Sequence, residues 1–239
     1  MPPGACRKWR PKTANIFGPS EDHKRRGLCL APFLCRYTEM TSTDYIVGYG
    51  SLLNRYSRET YSALTDPVIP VIAHGWRRGW TVRYGDEGAT YCGVRAVAGA
   101  RLVAALVPAE VTPQLRHRER GYVFTEVTRS SLRAIDAHSG PLPEARFWIV
   151  VNRQQVLADA RHPVPQSYID TCLLGCLEIG GEAMALAFIR DTELWDGHWL
   201  NDRRHNPTLY PRHAPLVAGD AERLDALLHQ TDALRHRVE

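Results

Sequence analysis

Short segments rich in β-branched and aromatic residues, separated by glycine turns, occupy much of the chain between residues 44 and 151. This pattern is typical of strands, and we predict strands over 44–48, 68–84, 89–97, 102–107, 122–127 and 147–151. The second of these is long enough to be one or two strands with a bend at Gly75 or Gly79. A hairpin-like break is predicted at 98–100, where a glycine lies between two alanines.

In the last part of the chain the apolar residues recur at the spacing of a helix rather than in the alternation of a strand. A segment with apolar residues at helical spacing begins at Ser167 and stops at Gly180-Gly181, and a second helix follows. With the shorter candidates included, the predicted helices are 57–63, 112–120, 167–179, 182–189 and 220–238. The segment 195–215, rich in aromatic residues and proline, is predicted to be an ordered loop that covers a pocket. Strands early and helices late favour the α+β class, as a small mixed β-barrel or sheet with flanking helices.

The formal charge is distributed unevenly along the 239 residues, whose net charge is +4. Residues 1–39 hold eight basic and three acidic side chains, a balance of +5, so the remaining 22 basic and 23 acidic side chains give −1. These first residues also show no sustained hydrophobic period. We therefore predict a disordered basic tail over 1–39 and a single domain over 40–239. A chain that begins at Met40 is expected to fold and to keep any activity.

The near-neutral charge of residues 40–239 excludes several classes of protein. A domain with a charge near −1 is no polyanion binder, so no nucleic-acid partner is expected. The alternation of arginine and tryptophan over 75–80 therefore favours a strand with packed tryptophans and exposed arginines. No apolar run approaches the roughly 20 residues that a membrane helix needs, so no membrane partner is expected. No CxxC motif is present, so the spacing of zinc ribbons and thioredoxins is missing. Cys172 and Cys176 lie four residues apart in an apolar stretch, which favours two buried residues on one helix face, and we expect a reduced protein in the cytoplasm.

Histidines and aspartates in the loop 195–215 raise the alternative of a metal site. His198, His205 and His213 are seven and eight residues apart, and these spacings match no usual set of metal ligands. With Asp196 and Asp202 nearby, a hydrogen-bonded loop is the better interpretation, and we predict no metal.

The best candidate for a ligand-binding segment is Gly48-Tyr49-Gly50-Ser51-Leu52-Leu53, at the end of the first strand. Two glycines around a tyrosine allow a tight turn whose amides form a concavity for carboxylate or phosphate oxygens. The segment matches neither a dinucleotide-binding motif, nor a phosphate-binding P-loop, nor a GxSxG nucleophile turn. From spacing alone, a structural turn and a ligand loop both stay open.

A second candidate is Glu119, which lies among Arg116, Arg118 and Arg120, shortly before Tyr122. A carboxylate among arginines either forms a solvated ion-pair cluster or acts as a general acid and base where a helix meets a strand. On these residues alone, both interpretations stay open.

Together these segments resemble the gamma-glutamylcyclotransferase-like family, in its bacterial form, over about residues 44–215. The resemblance is carried by the YGS turn, by the order strand, short helix, Arg118-Glu119, Gly121-Tyr122 and strand, and by the later Ser167-Tyr168-Ile169-Asp170. It implies the α+β fold of that family and an enzyme that cyclises a small γ-glutamyl peptide or amine to 5-oxoproline, with release of the amine. It also implies that no cofactor and no metal take part.

The same resemblance implies roles for individual residues. Glu119 would be the catalytic acid and base, and the substrate-binding residues would be Tyr49, Gly50, Ser51, Leu52 and Tyr122. Leu52 replaces the asparagine of many members, and the Arg-Gly-Thr element of the glutathione-directed branch is not present in the sequence. The γ-glutamyl substrate therefore stays open. The alternative function is a non-catalytic protein that binds a carboxylate metabolite on the same fold.

Overall fold

The computed structural model describes residues 44–83, 88–111, 122–135 and 140–239. Its strands are β1 Asp44–Gly48, β2 Ile69–Arg83, β3 Thr90–Pro108, β4 Tyr122–Val127, β5 Leu132–Ala134, β6 Arg146–Asn152, β7 Val164–Pro165, β8 Thr192–Glu193, β9 Trp199–Leu200 and β10 Arg237–Val238. Its α-helices are α1 Arg55–Ser62, α2 Gln166–Arg190 and α3 Asp220–Gln230, and 3-10 turns lie at Ser51–Leu53, Arg129–Ser131 and Ala233–His236. The helix predicted over 112–120 lies outside the described residues.

The strands form one large mixed sheet and one small sheet. In the large sheet the order is β4-β6-β1-β3-β2-β5, and β8 also pairs with β2. β1 lies parallel to β6 and antiparallel to β3, so the strand that carries the candidate turn is an interior strand. The small sheet places β9 between β7 and β10, with parallel pairing on both sides. This mixture of sheets and helices confirms the predicted α+β class.

β2 and β3 pair as one long antiparallel hairpin, with shifts in register between His74 and Trp76 and between Trp80 and Val82. β3 runs as one strand from Thr90 to Pro108, so the predicted break at 98–100 does not end it. The pairing with β2 is nevertheless interrupted there, because Ala96 pairs with Trp76 and the next paired residue, Arg101, pairs with His74. Gly99 has a φ of +75°, and Gly75 in β2 has a φ of +83°, a conformation that glycine adopts without the steric cost of a side chain. The pairing register shifts next to Gly75, which confirms the predicted bend.

Residues in the left-handed region set the helix boundaries in the C-terminal part. Gly181 has a φ of +66° and divides α2 into two helical segments, as predicted. α3 ends at Gln230, so the predicted continuation of this helix to residue 238 is wrong. Asp232, with a φ of +62°, leads the chain into a 3-10 turn and β10 instead. The apolar face of α3 is buried as predicted, through Leu224, Leu227 and Leu228.

α2 packs against the sheet, against α3 and against the 3-10 turn after β1. By length and composition alone it is apolar enough to cross a membrane. This departs from the expectation that no apolar segment is long enough. However, much of the helix is buried inside the protein, and Gly181 interrupts it. We therefore assign α2 to the core, where Leu173 and Phe188 are fully buried.

Candidate functional site

A cavity of about 380 Å³ lies where β1 passes through the candidate turn into α1. Its volume falls in the range of small-molecule sites. All of the predicted substrate-binding residues line it, namely Tyr49, Gly50, Ser51, Leu52 and Tyr122. Glu119, the predicted catalytic residue, lies outside the described residues.

Hydroxyl groups and aromatic rings from distant parts of the sequence make up much of the remaining wall. They come from α1, β3, β4, α2 and the loop after β9, as Ser57, Tyr61, Ser62, Tyr91, Phe124, Tyr168 and Tyr210. Cys92 and Val150 also line the cavity. The described part of the cavity is thus lined mainly by neutral hydrogen-bonding groups and by apolar side chains.

A short 3-10 turn shapes the segment that follows β1. Leu53 donates its amide hydrogen to the Gly50 carbonyl at 2.9 Å, and Asn54 donates to the Ser51 carbonyl at 3.1 Å. The amides of Ser51 and Leu52 precede these donors, so they take no part in the hydrogen bonds of the turn. These two amides are therefore the candidate donors for a ligand in the cavity.

Two buried arginines hold the carbonyl oxygens of this turn. Arg58 of α1 is only 4% exposed, and its Nη1 donates to the carbonyls of Leu52 at 2.9 Å and Leu53 at 2.7 Å. Arg78 of β2 donates through Nη1 to the Tyr49 carbonyl at 2.8 Å. One arginine therefore fixes the turn from the helix that follows it, and the other fixes it from the sheet.

Arg78 is fully buried, which contradicts the expectation of exposed arginines in the arginine–tryptophan segment. Its Nε donates to Thr192 Oγ1 at 2.8 Å, and its Nη atoms donate to the carbonyls of Val103 and Phe188 at 3.2 Å. Its Cζ lies 3.6 Å from the centre of the Phe188 ring. Burial lowers the pKa of Arg78, yet a guanidinium stays charged in proteins. The acceptors of these hydrogen bonds are all neutral oxygens. The negative charge of Asp191 acts on Arg78 without a hydrogen bond between the two side chains and opposes the lowering of its pKa.

Glycine is required at two places where α2 approaches the turn. A Cβ atom at Gly50 would lie 2.5 Å from the Tyr168 hydroxyl and 2.8 Å from Cys92 Sγ. A Cβ atom at Gly175, on α2, would lie 2.4 Å from the carbonyl carbon of Leu53. Both distances are far below van der Waals contact, so a side chain at either position would push the helix away from the turn.

Three tyrosines pack ring against ring in the cavity wall. The ring centres of Tyr91 and Tyr168 are 5.0 Å apart, those of Tyr91 and Tyr210 are 5.5 Å apart, and those of Tyr168 and Tyr210 are 4.9 Å apart. Burial raises the pKa of Tyr168 well above its ordinary value. Burial also raises the pKa of Tyr210, although hydrogen bonds with Ser51 and Ser57 oppose that rise. The phenols of Tyr168 and Tyr210 are therefore neutral near pH 7 and can donate hydrogen bonds.

The two tyrosines singled out from the sequence are both positioned by β6. The Tyr49 hydroxyl donates to the Val150 carbonyl on β6 at 2.6 Å, which fixes the orientation of its ring. Tyr122 begins β4 and pairs with Asn152 at the end of β6. β6 therefore positions Tyr49 through a side-chain hydrogen bond and Tyr122 through strand pairing, and both residues line the cavity.

Glu110 and Arg212 are the charged side chains among the described lining residues. Glu110 follows β3 and is exposed, whereas Arg212, in the loop after β9, is half-buried. The Cζ atom of Arg212 lies 5.6 Å from the centre of the Tyr210 ring, a cation–π distance. Burial raises the pKa of Tyr61 and of Tyr210, and the positive charge of Arg212 opposes both increases.

The loop 195–215 contributes to the site, but through other residues than the aromatic cluster at its start. Trp199 is buried in the core and is not among the described lining residues, whereas Tyr210 and Arg212 line the cavity. Asp202 is fully buried and accepts from the Ser167 amide at 2.8 Å, so it fastens the loop to the start of α2. Tyr210 and Arg212, on either side of Pro211, could have been identified as candidate site residues from the sequence, because tyrosine and arginine are enriched in binding sites.

No family model matches this chain, and no curated protein matches it. Solved structures do match. YkqA from Bacillus subtilis has a TM-score of 0.39 and 17% identity, over 56% of this chain and 48% of YkqA. A gamma-glutamyl cyclotransferase has a TM-score of 0.44 and 12% identity, over 57% of this chain and 79% of its own. A yeast gamma-glutamyl cyclotransferase specific to glutathione has a TM-score of 0.35 and 14% identity, over 80% of this chain and 96% of its own.

These similarities are weak. The chain spans about half of the length of YkqA, each of these TM-scores is below 0.5, and each identity is 17% or lower. We therefore argue the function from the cavity itself. The solved structures that resemble this chain nevertheless include gamma-glutamyl cyclotransferases.

Proposed function

We propose that this protein is a gamma-glutamyl cyclotransferase, which converts a γ-glutamyl compound to 5-oxoproline and releases an amine. The observation that carries the proposal is that the YGSL segment, Tyr49 to Leu52, and Tyr122 line one cavity, although they are far apart in sequence. Glu119, the proposed acid and base, precedes the lining residue Tyr122 by three positions in the chain.

The substrate supplies its own nucleophile, so the enzyme has few tasks. The α-amino nitrogen attacks the γ-carbonyl carbon, a new C–N bond closes the five-membered ring, and the old C–N bond to the leaving amine breaks. Glu119 accepts the proton from the attacking nitrogen and delivers it to the leaving nitrogen. The products are 5-oxoproline and the free amine, so atoms and protons balance without another reactant.

The turn after β1 suits the anionic groups of this reaction. The amides of Ser51 and Leu52 are donors for the substrate α-carboxylate or for the oxygen that gains negative charge during attack on the γ-carbonyl. The charge of Arg78 lies behind the turn, 2.8 Å from the Tyr49 carbonyl, and makes the local potential more favourable to an anion. The neutral phenol of Tyr210 adds a donor without repelling a carboxylate.

Release of 5-oxoproline from a panel of γ-glutamyl amino acids, γ-glutamylamines and glutathione tests the proposal. Turnover of at least one member is the expected result. Thermal stabilisation by panel members without any turnover would instead favour the non-catalytic carboxylate-binding protein. If no member is turned over and none stabilises the protein, both functions are contradicted.

A further inference from the structure

We propose that a second cavity, on the face of β2 opposite Arg78, binds a small molecule that carries one carboxylate and a short apolar group. The second cavity has a volume of about 230 Å³ and shares no described lining residue with the cavity at the turn. Its lining includes Arg77 and Gly79 of the arginine–tryptophan segment, for which the proposed reaction has no role. The inference is therefore independent of the proposed function.

The floor of the second cavity is formed by two glycines that face each other across neighbouring strands. Gly79 on β2 pairs with Gly93 on β3, so no side chain rises from the centre of this floor. A Cβ atom at Gly79 would lie 3.5 Å from the side chain of Leu194 and 3.8 Å from Cβ of Glu193, which are lining residues as well. These are ordinary contacts, so a methyl group at Gly79 would occupy the floor of the cavity without a clash.

Two arginines lie directly opposite each other beside this floor. Arg77 on β2 pairs with Arg95 on β3, and like charges in such positions repel each other. Glu193 on β8 accepts a hydrogen bond from Arg95 Nη2 at 2.9 Å, whereas its other oxygen lies 3.5 Å from Arg77 Nε. The charged side chains among the described lining residues are these three, so their charges sum to +1. This excess favours a ligand with a single negative charge.

The cavity also contains hydrogen-bonding groups that no described residue uses. Arg77 forms an ion pair with Glu193 but no hydrogen bond with any described residue, and its side chain is 31% exposed, so a ligand can reach it. Thr81 is only 5% exposed and lines the cavity, and its hydroxyl likewise has no hydrogen-bond partner within the described residues. Polar groups in such surroundings are usually paired. A carboxylate accepts two parallel hydrogen bonds from a guanidinium and would supply the missing acceptor.

Two leucines give the second cavity an apolar rim. Leu157 is 62% exposed and Leu194 is 37% exposed, and both line the cavity. Leu194 has a φ of +67°, a conformation that is uncommon for residues other than glycine and that occurs most often at functional sites. An apolar group bound against these leucines would remove apolar surface from water. The combination of this rim with Arg77 therefore fits a carboxylate that has a short hydrocarbon chain.

A matched pair of compounds tests the inference: isocaproate and isocaproamide share one branched carbon chain, and only isocaproate is charged. In NMR titrations we expect the parent to bind isocaproate at least about tenfold more tightly than isocaproamide. Arg77→Gln is expected to abolish that difference, and Arg77→Lys, which keeps the charge without the planar fork, is expected to retain part of it. Gly79→Ala is expected to weaken the binding of both compounds by about tenfold, because its methyl group fills the floor.

Arg133→Gln is the control, because Arg133 is exposed on β5 of the same sheet and does not belong to the described lining. Its affinities should equal those of the parent. Thermal unfolding checks that each variant is folded, and the lysine variant serves if the glutamine variant is not. Binding of isocaproate that neither Arg77→Gln nor Gly79→Ala weakens would belong to another surface or to the cavity at the turn, and would overturn the inference. Equal affinities of the parent for the two compounds, or no binding of either, would also overturn it. None of these measurements depends on release of 5-oxoproline.

Discussion

At Gly50 the absence of a side chain decides how closely two other elements can approach the candidate turn. The Tyr168 hydroxyl and Cys92 Sγ lie 2.9 Å apart and occupy the space that a Cβ atom would need. The Tyr49 carbonyl beside it is held by a fully buried guanidinium, that of Arg78. Both features fix the backbone of the turn before any ligand arrives, which is the preorganisation that binding and catalysis require.

We predict that Gly50→Ala destabilises the protein by about 1–3 kcal/mol, because the methyl group overlaps the Tyr168 hydroxyl and Cys92 Sγ. It should also abolish binding of γ-glutamyl compounds, since the turn must shift. The free energy of unfolding in urea and calorimetric binding measure the two effects. Gly79→Ala is the matched control, because its Cβ would be 3.5 Å from its nearest neighbour, in ordinary contact. Equal effects of the two substitutions would contradict this account of the turn.

The sequence revealed the turn but not the residues that support it. The glycines at positions 48 and 50 can be read directly from the sequence, and they indicate a turn in which the backbone has no room for a side chain. The burial of Arg78 is not visible in the same way, since an arginine beside tryptophans in a strand is compatible with either face of the sheet. Its position depends on carbonyl groups from β3 and α2, which are distant in sequence.

At the scale of elements, α2 connects the core to the site. Gly175 allows its backbone to lie against Leu53, and Tyr168, in its first turn, reaches the cavity. The glycine pair predicted to end the helix does break it, at Gly181. The local sequence thus predicted where the helix is broken. It did not predict which elements each face of the helix contacts, because those contacts join residues that are distant in sequence. The same holds for the long hairpin, where β3 continues through Gly99 although residues 97–100 do not pair with β2.

We predict that Gly175→Ala lowers the affinity for γ-glutamyl compounds by at least about tenfold and destabilises the fold, because its Cβ meets rigid backbone at 2.4 Å. A glycine-to-alanine change inside a helix would otherwise stabilise it by about 1 kcal/mol. Gly180→Ala is the control on the same helix, because its new Cβ meets the side chain of Met184 rather than the turn. Calorimetry should show unchanged affinity for this control. An unchanged affinity for Gly175→Ala as well would mean that α2 does not position the turn.

At the scale of the whole molecule, the excess of basic residues lies in residues 1–39, and the candidate site lies in the near-neutral remainder of the chain.

The cysteines within the described residues, Cys92, Cys172 and Cys176, are buried and free. For the two on α2 this confirms the prediction of buried thiols on one helix. Burial raises the pKa of Cys176 from its ordinary value of 9.0 to about 12. The folded state therefore keeps a proton that the unfolded chain releases between these two pH values.

We predict that the free energy of unfolding falls as pH rises above about 9, with a contribution of up to about 1.4 kcal/mol per pH unit from Cys176 alone. The sign follows because the unfolded state binds fewer protons than the folded state in this range. Urea unfolding of the parent and of Cys176→Ala from pH 8 to about 10.5 measures the contribution as a difference in slope. Parallel pH profiles for the two proteins would show that Cys176 does not contribute in this way.

The central claim is that a carboxylate at position 119 transfers the proton in a γ-glutamyl cyclisation. The most direct measurement compares 5-oxoproline release by the parent, Glu119→Gln and Glu110→Gln, with binding of γ-glutamyl-alanine followed by calorimetry. Glu110 is the matched control, because it is the carboxylate among the described lining residues and is exposed. We predict a loss of at least about 100-fold in kcat for Glu119→Gln with retained binding, since general acid–base catalysis contributes on that order, and little change for Glu110→Gln. Equal release by the parent and Glu119→Gln, or a loss confined to Glu110→Gln, would contradict the claim.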